Sequence, residues 1–290
     1  MNKEAIHRQI RAKQSYLCVG LDTDPRRVPS HLRGAADPVF EFNRRIVDAT
    51  ADYCVAYKPN LAFYEAQGAR GWESLQKTLA CIPESHFTIA DAKRGDIGNT
   101  SALYARAFFD PASSGLNFDA VTVAPYLGRD SVMPFLDFPG KWVILLALTS
   151  NPGSADFQTL AVSAGPPQPH PEEGLRLPLF EQVIRTAQSW TGEADSSDRL
   201  MFVVGATQAN QLGRIRQLAP DHFLLVPGVG AQGGSLEEVS RHGMNRQCGL
   251  LVNASRSILY ASDGEDFARK AGQEAQSIQR EMTKWLSTYG

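Results

Sequence analysis

Short apolar, β-branched runs recur along this chain, with amphipathic stretches between them. Eight such runs stand out, at residues 16–21, 53–57, 87–90, 120–123, 142–148, 201–204, 223–226 and 250–252. They are almost continuously apolar rather than alternating. That pattern marks strands buried on both faces of a parallel sheet. Between the runs, residues 37–51, 71–81, 103–109, 179–190, 208–218 and 236–242 carry apolar positions at helical spacing. Eight strands alternating with helices predict a (β/α)8 barrel, with residues 1–290 as one domain. An open, doubly wound sheet is the alternative. It is disfavoured because no Gly-x-Gly-x-x-Gly follows the first strand, where a dinucleotide fingerprint would sit.

One segment breaks the rhythm. Residues 151–178 follow the fifth strand and are rich in Pro, Gly, Ser and Ala, including Gly165-Pro166-Pro167-Gln168-Pro169-His170-Pro171. A loop this long inside a compact domain is usually functional or disordered. Its opening reads as functional and its proline-rich middle as a surface excursion. Residues 192–198 read as a second polar surface loop.

Composition narrows the function classes. The chain has 290 residues, 43% of them hydrophobic and 21% charged, enough to bury a sizeable core. A net charge of −2 supplies no basic footprint for nucleic acid. The longest apolar run, 142–148, is too short to span a bilayer. Residues 1–14 are charged and periodic (Ile6, Ile10) and predict an amphipathic helix rather than a signal peptide. The expected location is therefore the cytoplasm. The four cysteines, Cys18, Cys54, Cys81 and Cys248, include no Cys-x-x-Cys pair, and the six histidines show no metal-ligand spacing. Neither set predicts a disulfide framework, a metal site or a nucleophile triad.

The chemistry gathers at the ends of the strands. Asp91-Ala92-Lys93-Arg94-Gly95-Asp96 places two acids and two bases within six positions after the third apolar run. Strand alternation would point Asp91 and Lys93 the same way. Asp22 follows the first strand in Gly20-Leu21-Asp22, and Lys58 ends the second in Tyr57-Lys58-Pro59-Asn60. Thr149-Ser150-Asn151-Pro152-Gly153 follows the fifth, Pro227-Gly228-Val229-Gly230-Ala231-Gln232-Gly233-Gly234 the seventh, and Ser255-Arg256-Ser257 the eighth. In a parallel barrel these C-terminal ends form one rim, where active sites are built. Glycines after strand seven and an arginine after strand eight suit a phosphate, through approaching N–H groups and a bidentate guanidinium. Lys58, Asp91, Lys93 and Asp96 are expected to form an alternating chain of charge, which would keep each lysine protonated and each acid ionised. A protonated lysine is a poor Schiff-base former but a good donor to a basic carbon. A fixed carboxylate beside it repels an anionic substrate group. Together they suggest loss of carbon dioxide followed by protonation.

These motifs, in order at the strand ends, resemble the orotidine 5′-phosphate decarboxylase family, in its longer bacterial branch. The Asp-x-Lys-x-x-Asp element is followed by Thr100 at the family's spacing, and Ser150-Asn151-Pro152-Gly153 and Ser255-Arg256-Ser257-Ile258 also match. The resemblance implies a metal- and cofactor-free decarboxylation of orotidine 5′-phosphate to UMP. It implies Lys93 as proton donor to C6, Asp91 facing the substrate carboxylate, and Lys58 and Asp96 completing the array. It further implies Asp22, Lys58 and Thr100 near the ribose, Ser150 at the pyrimidine edge, and Gln232 and Arg256 at the phosphate. It also implies a homodimer in which Asp96 and Thr100 reach the neighbouring site. Two departures concern loop contacts. Asn151 stands where compact members often carry His, and Asn253-Ala254 precede Ser255-Arg256 where Gly-Arg is common. The alternatives are a Mg²⁺-dependent sugar-phosphate decarboxylase or aldolase of the same superfamily, and an inactive nucleotide-binding barrel. The first needs an acid after strand two, where Lys58 stands and Glu65 lies seven residues on. The second would be expected to lack Lys93 or the acid pair.

Overall fold

The apolar runs become the staves of a closed barrel in a computed structural model describing residues 1–163, 176–191, 196–229 and 233–289. The barrel strands are β1 (Leu17–Leu21), β2 (Ala56–Pro59), β3 (Phe87–Arg94), β4 (Ala120–Val123) and β5 (Trp142–Leu148), then β8 (Leu200–Val204), β9 (Leu224–Pro227) and β10 (Leu250–Ala254). Their order is β1-β10-β9-β8-β5-β4-β3-β2, and β1 pairs with β2 to close the ring. Every neighbouring pair is parallel. β1, β8 and β10 are buried at every position, as strands covered on both faces are, with Asn253 the one polar side chain among them. Large rings fill the space beneath the helices. Phe87 meets Trp142 edge to face at 6.1 Å, and Phe42 stacks on Phe267 at 4.9 Å.

Helices surround the staves. In chain order they are α1 (Lys3–Lys13), α2 (Pro38–Thr50), α3 (Leu61–Glu65), α4 (Ala69–Cys81), α5 (Gly98–Phe109), α6 (Pro111–Ser114), α7 (Arg129–Leu136), α8 (Leu179–Thr191), α9 (Ser196–Arg199), α10 (Ala209–Leu218), α11 (Leu236–Gly243), α12 (Arg256–Leu259) and α13 (Phe267–Tyr289). Local chemistry sets their ends. Asn2 caps α1 by accepting from the Ala5 N–H, and Asp37 caps α2 ahead of Pro38 at its first position. The long α13 packs closely on α2, where a Cβ at Gly272 would lie 2.7 Å from the Ala49 carbonyl oxygen.

Several expectations need correction. The second strand is shifted from 53–57 to Ala56–Pro59, so Lys58 lies within it. The third runs on from 87–90 to Arg94, because Arg94 regains pairing with Val123 after an irregularity that begins at Ala90. Charged side chains had marked the end of the apolar run without ending the strand. The expected loop at 151–178 carries a 3₁₀ turn (Pro152–Asp156) and a short antiparallel pair, β6 (Ala161–Ser163) with β7 (Arg176–Pro178). Its proline-rich stretch at 165–171 lies outside the described residues. The expected polar loop at 192–198 includes the start of α9, and 192–195 lie outside the described residues. Sequence periodicity also passed over α7 and α13.

Candidate active site

Because the strands are parallel, their C-terminal ends open on one rim, and a cavity of about 290 Å³ lies there. It is lined by Asp22, Lys58, Asp91, Lys93, Ser150 and Arg256, together with Asn60, Thr122, Thr149, Asn253 and an apolar wall that includes Leu146, Val203 and Val229. Register brings the charged residues level: Gly20 of β1 lies beside Lys58 of β2, and Asn60 bridges to Asp91 of β3.

Asp91 is the centre of the charge array. One carboxylate oxygen, Oδ2, accepts from Lys58 Nζ at 2.6 Å, and the other, Oδ1, accepts from Lys93 Nζ at 2.6 Å. The Thr122 hydroxyl donates to Oδ1 at 3.0 Å. Lys58 also lies 4.0 Å from Asp22 Oδ1, while Asp22 Oδ2 accepts from the Ser255 hydroxyl at 2.9 Å. Lys58 is 4% exposed and Asp91 8%, so each charge depends on the other for compensation. Burial disfavours ionised Asp91, but the ammonium groups of Lys58 and Lys93 outweigh it and hold the carboxyl well below the usual range. Burial likewise opposes the charge on Lys58, and Asp91 and Asp22 overcome it and raise that lysine above its ordinary value. The array is an ionised acid between two cations.

Lys93 and Asp91 converge, but not by strand alternation. Lys93 has a φ of +47°, in the left-handed region, and it lies within the irregular stretch between Ala90 and Arg94. The side chain of Lys93 is 51% exposed, so its ammonium reaches from Asp91 into the open cavity.

Two members of the expected set stand apart. Asp96 lies in the loop after β3, accepts from the Ile97 N–H at 2.7 Å and is not among the residues lining this cavity. Thr100, in the first turn of α5, is also absent from that lining. Near both, Ile97 and Leu103 are large apolar side chains left exposed. Ser150 follows β5 and Arg256 opens α12 at the cavity mouth. The glycine loop after β9 closes on itself where the Gly234 N–H donates to the Gly228 carbonyl. Gln232 lies outside the described residues. Glu65, the acid nearest to a metal-ligand position after strand two, pairs with Arg94.

Sequence reasoning missed Thr122, Asn60 and Thr149 as part of the lining. Thr122 sits inside an apolar, β-branched run and reads as core. Asn60 and Thr149 did appear at strand ends, which was the available signal.

Comparison with known proteins shows the family. The model of the orotidine 5′-phosphate decarboxylase / HUMPS family matches residues 15–271. An orotidine 5′-phosphate decarboxylase of Phocaeicola vulgatus is 55% identical over 287 residues, covering 98% of each chain. Among solved structures, Leishmania donovani OMP decarboxylase aligns with a TM-score of 0.74 and 33% identity, covering 97% of this chain and 99% of that one. Leishmania donovani UMP synthase aligns with a TM-score of 0.76 and 36% identity over 95% of this chain, which spans 56% of the synthase. The match runs through every strand end that supplies the charge array, and the chain belongs to the orotidine 5′-phosphate decarboxylase / HUMPS family.

Proposed function

We propose that this chain decarboxylates orotidine 5′-phosphate to UMP, without metal or cofactor, and that Lys93 protonates C6. The observation that carries the reading is Asp91, buried and ionised, held at 2.6 Å by both Lys58 and Lys93. A substrate carboxylate placed beside Asp91 meets a fixed negative charge. As the bond from C6 to the carboxylate breaks, carbon dioxide departs and the electron pair stays on C6. The Lys93 ammonium stabilises that developing charge and then transfers its proton to it. Lys58 keeps Asp91 ionised throughout.

The remaining roles are those the family resemblance implies, and the presence of Asp22, Lys58, Ser150 and Arg256 in the cavity lining supports them. Asp22 and Lys58 serve the ribose, and Ser150 the pyrimidine edge. Arg256 and Gln232 hold the phosphate, whose binding energy orients the distant reacting carbon. Asp96 and Thr100, outside this chain's own cavity lining, serve the site of a second copy in a homodimer. The exposed Ile97 and Leu103 beside them support burial of that segment against a partner. Four free cysteines and a nucleotide substrate support a cytoplasmic location.

The test is the absorbance change on mixing purified protein with orotidine 5′-phosphate in excess EDTA. Full turnover is expected. Activity lost on chelation and restored by Mg²⁺ would instead assign the metal-dependent sugar-phosphate chemistry of the superfamily.

A further inference from the structure

The charge array has an uncharged member whose geometry is fully determined. Thr122 lies in β4, is 1% exposed and lines the cavity. Its hydroxyl is 3.0 Å from Asp91 Oδ1 and 2.9 Å from the backbone nitrogen of Lys93. An ionised carboxylate only accepts and a backbone N–H only donates. The single hydroxyl proton must therefore go to Asp91, while an oxygen lone pair takes the Lys93 N–H.

Those two bonds fall where the backbone of β3 is irregular. Lys93 holds a left-handed φ of +47° within the interrupted β3–β4 ladder, a conformation that L-residues with side chains seldom adopt. Its N–H is met by the Thr122 hydroxyl from the neighbouring strand. The same hydroxyl fixes the carboxylate through Oδ1, the oxygen that also accepts from the half-exposed Lys93 ammonium. When that ammonium gives up its proton, the Thr122 bond still holds Oδ1 in place.

We propose that Thr122 is a positioning residue for the decarboxylation, locking the left-handed turn that aims Lys93 and the rotation of the Asp91 carboxylate with one hydroxyl. The inference rests on the reading of Lys93 as proton donor. It predicts that the hydroxyl, not the bulk of the side chain, matters.

Thr122→Val keeps the shape and removes both bonds. Its kcat on orotidine 5′-phosphate should fall about 10- to 100-fold, the scale of a lost hydrogen bond to a charged group, with KM changed less than about threefold. Thr122→Ser, which restores the hydroxyl, should recover to within about fivefold of wild type. If Thr122→Val does not fold by circular dichroism, the Thr122→Ser and Thr122→Ala pair makes the same comparison, with Ala expected at least about tenfold slower than Ser. A folded Thr122→Val with kcat within threefold of wild type overturns the proposal, and so does a Ser variant as slow as its hydroxyl-free counterpart. Lys93→Ala measured in parallel separates the two readings. If it is inactive while Thr122→Val is unaffected, only the role of Thr122 falls. If Lys93→Ala keeps wild-type kcat, the proton-donor reading falls and the Thr122 inference with it.

Discussion

At the scale of single residues, Lys93 carries several demands at once. In the proposed reaction it would donate a proton and face the developing charge on carbon, while it balances Asp91. Lys93→Ala should therefore cost several orders of magnitude in kcat, beyond the ~10²–10⁴ usual for one general acid. Steady-state assay with orotidine 5′-phosphate checks this, and a loss under about tenfold would remove Lys93 from the mechanism. His222 offers a separate test at the opposite end of the barrel, just ahead of β9. It is buried against Phe202, and among the described residues neither ring nitrogen has a hydrogen-bond partner. Burial first, then the nearby charges of Lys3 and Arg216, lower its pKa from 6.5 to about 4. The unfolded chain takes up a proton near 6.5 that the folded chain refuses, so stability from this group is full above that pH and is lost as pH falls towards 4. By pH 5 the loss amounts to about 2 kcal/mol. Urea unfolding at pH 7.5 and pH 5 should show His222→Phe losing less stability than wild type by about that amount. Equal losses in both proteins would mean that His222 titrates normally.

At the scale of elements, the ends of β5 and β8 form one joint of the site. The Gly205 N–H donates to the Leu148 carbonyl at 2.8 Å, and a Cβ at Gly205 would lie 2.6 Å from the backbone nitrogen of Ser150. Only a residue without a side chain permits that approach. Gly205→Ala should destabilise the fold by ~1–3 kcal/mol through overpacking. It should also lower kcat/KM by at least ~10-fold by displacing Ser150. Thermal unfolding and steady-state kinetics check the two effects. A variant with wild-type kinetics would show that Ser150 does not need this placement. The β3–β4 pair is the other joint. Its irregular register is what lets one strand present Asp91, Lys93 and Arg94 in three different settings: buried, facing the cavity, and paired with Glu65.

At the scale of the whole molecule, the proposed homodimer predicts complementation. Lys93→Ala and Asp96→Ala, each inactive alone, should rescue one another when mixed and allowed to exchange subunits. In a mixed dimer one site carries both lesions and the other neither. Random exchange makes about half the dimers mixed, so roughly a quarter of wild-type activity should return, by counting over a two-fold assembly. Exchange seen by mass spectrometry with no recovered activity would place Asp96 in its own chain's site. The barrel itself was legible in the chain because strands buried on both faces must be apolar throughout, and the runs 120–123 and 142–148 coincide with β4 and β5. Asp22, Lys58, Asp91, Lys93, Ser150 and Arg256 were legible for a related reason: charged or polar residues directly after such runs have only the rim to occupy. Three things were decided by tertiary structure alone. The strand carrying Asp91 continues through its charges, because pairing with β4 resumes at Arg94 and outweighs local polarity. Lys93 meets Asp91 through a left-handed residue, which no alternation rule describes. Thr122 became part of the site because a neighbouring strand brings its hydroxyl within reach of both. A side chain that looks like core in one dimension acquires its role only from what lies across the barrel, since hydrogen bonds between strands depend on register and twist rather than on spacing along the chain.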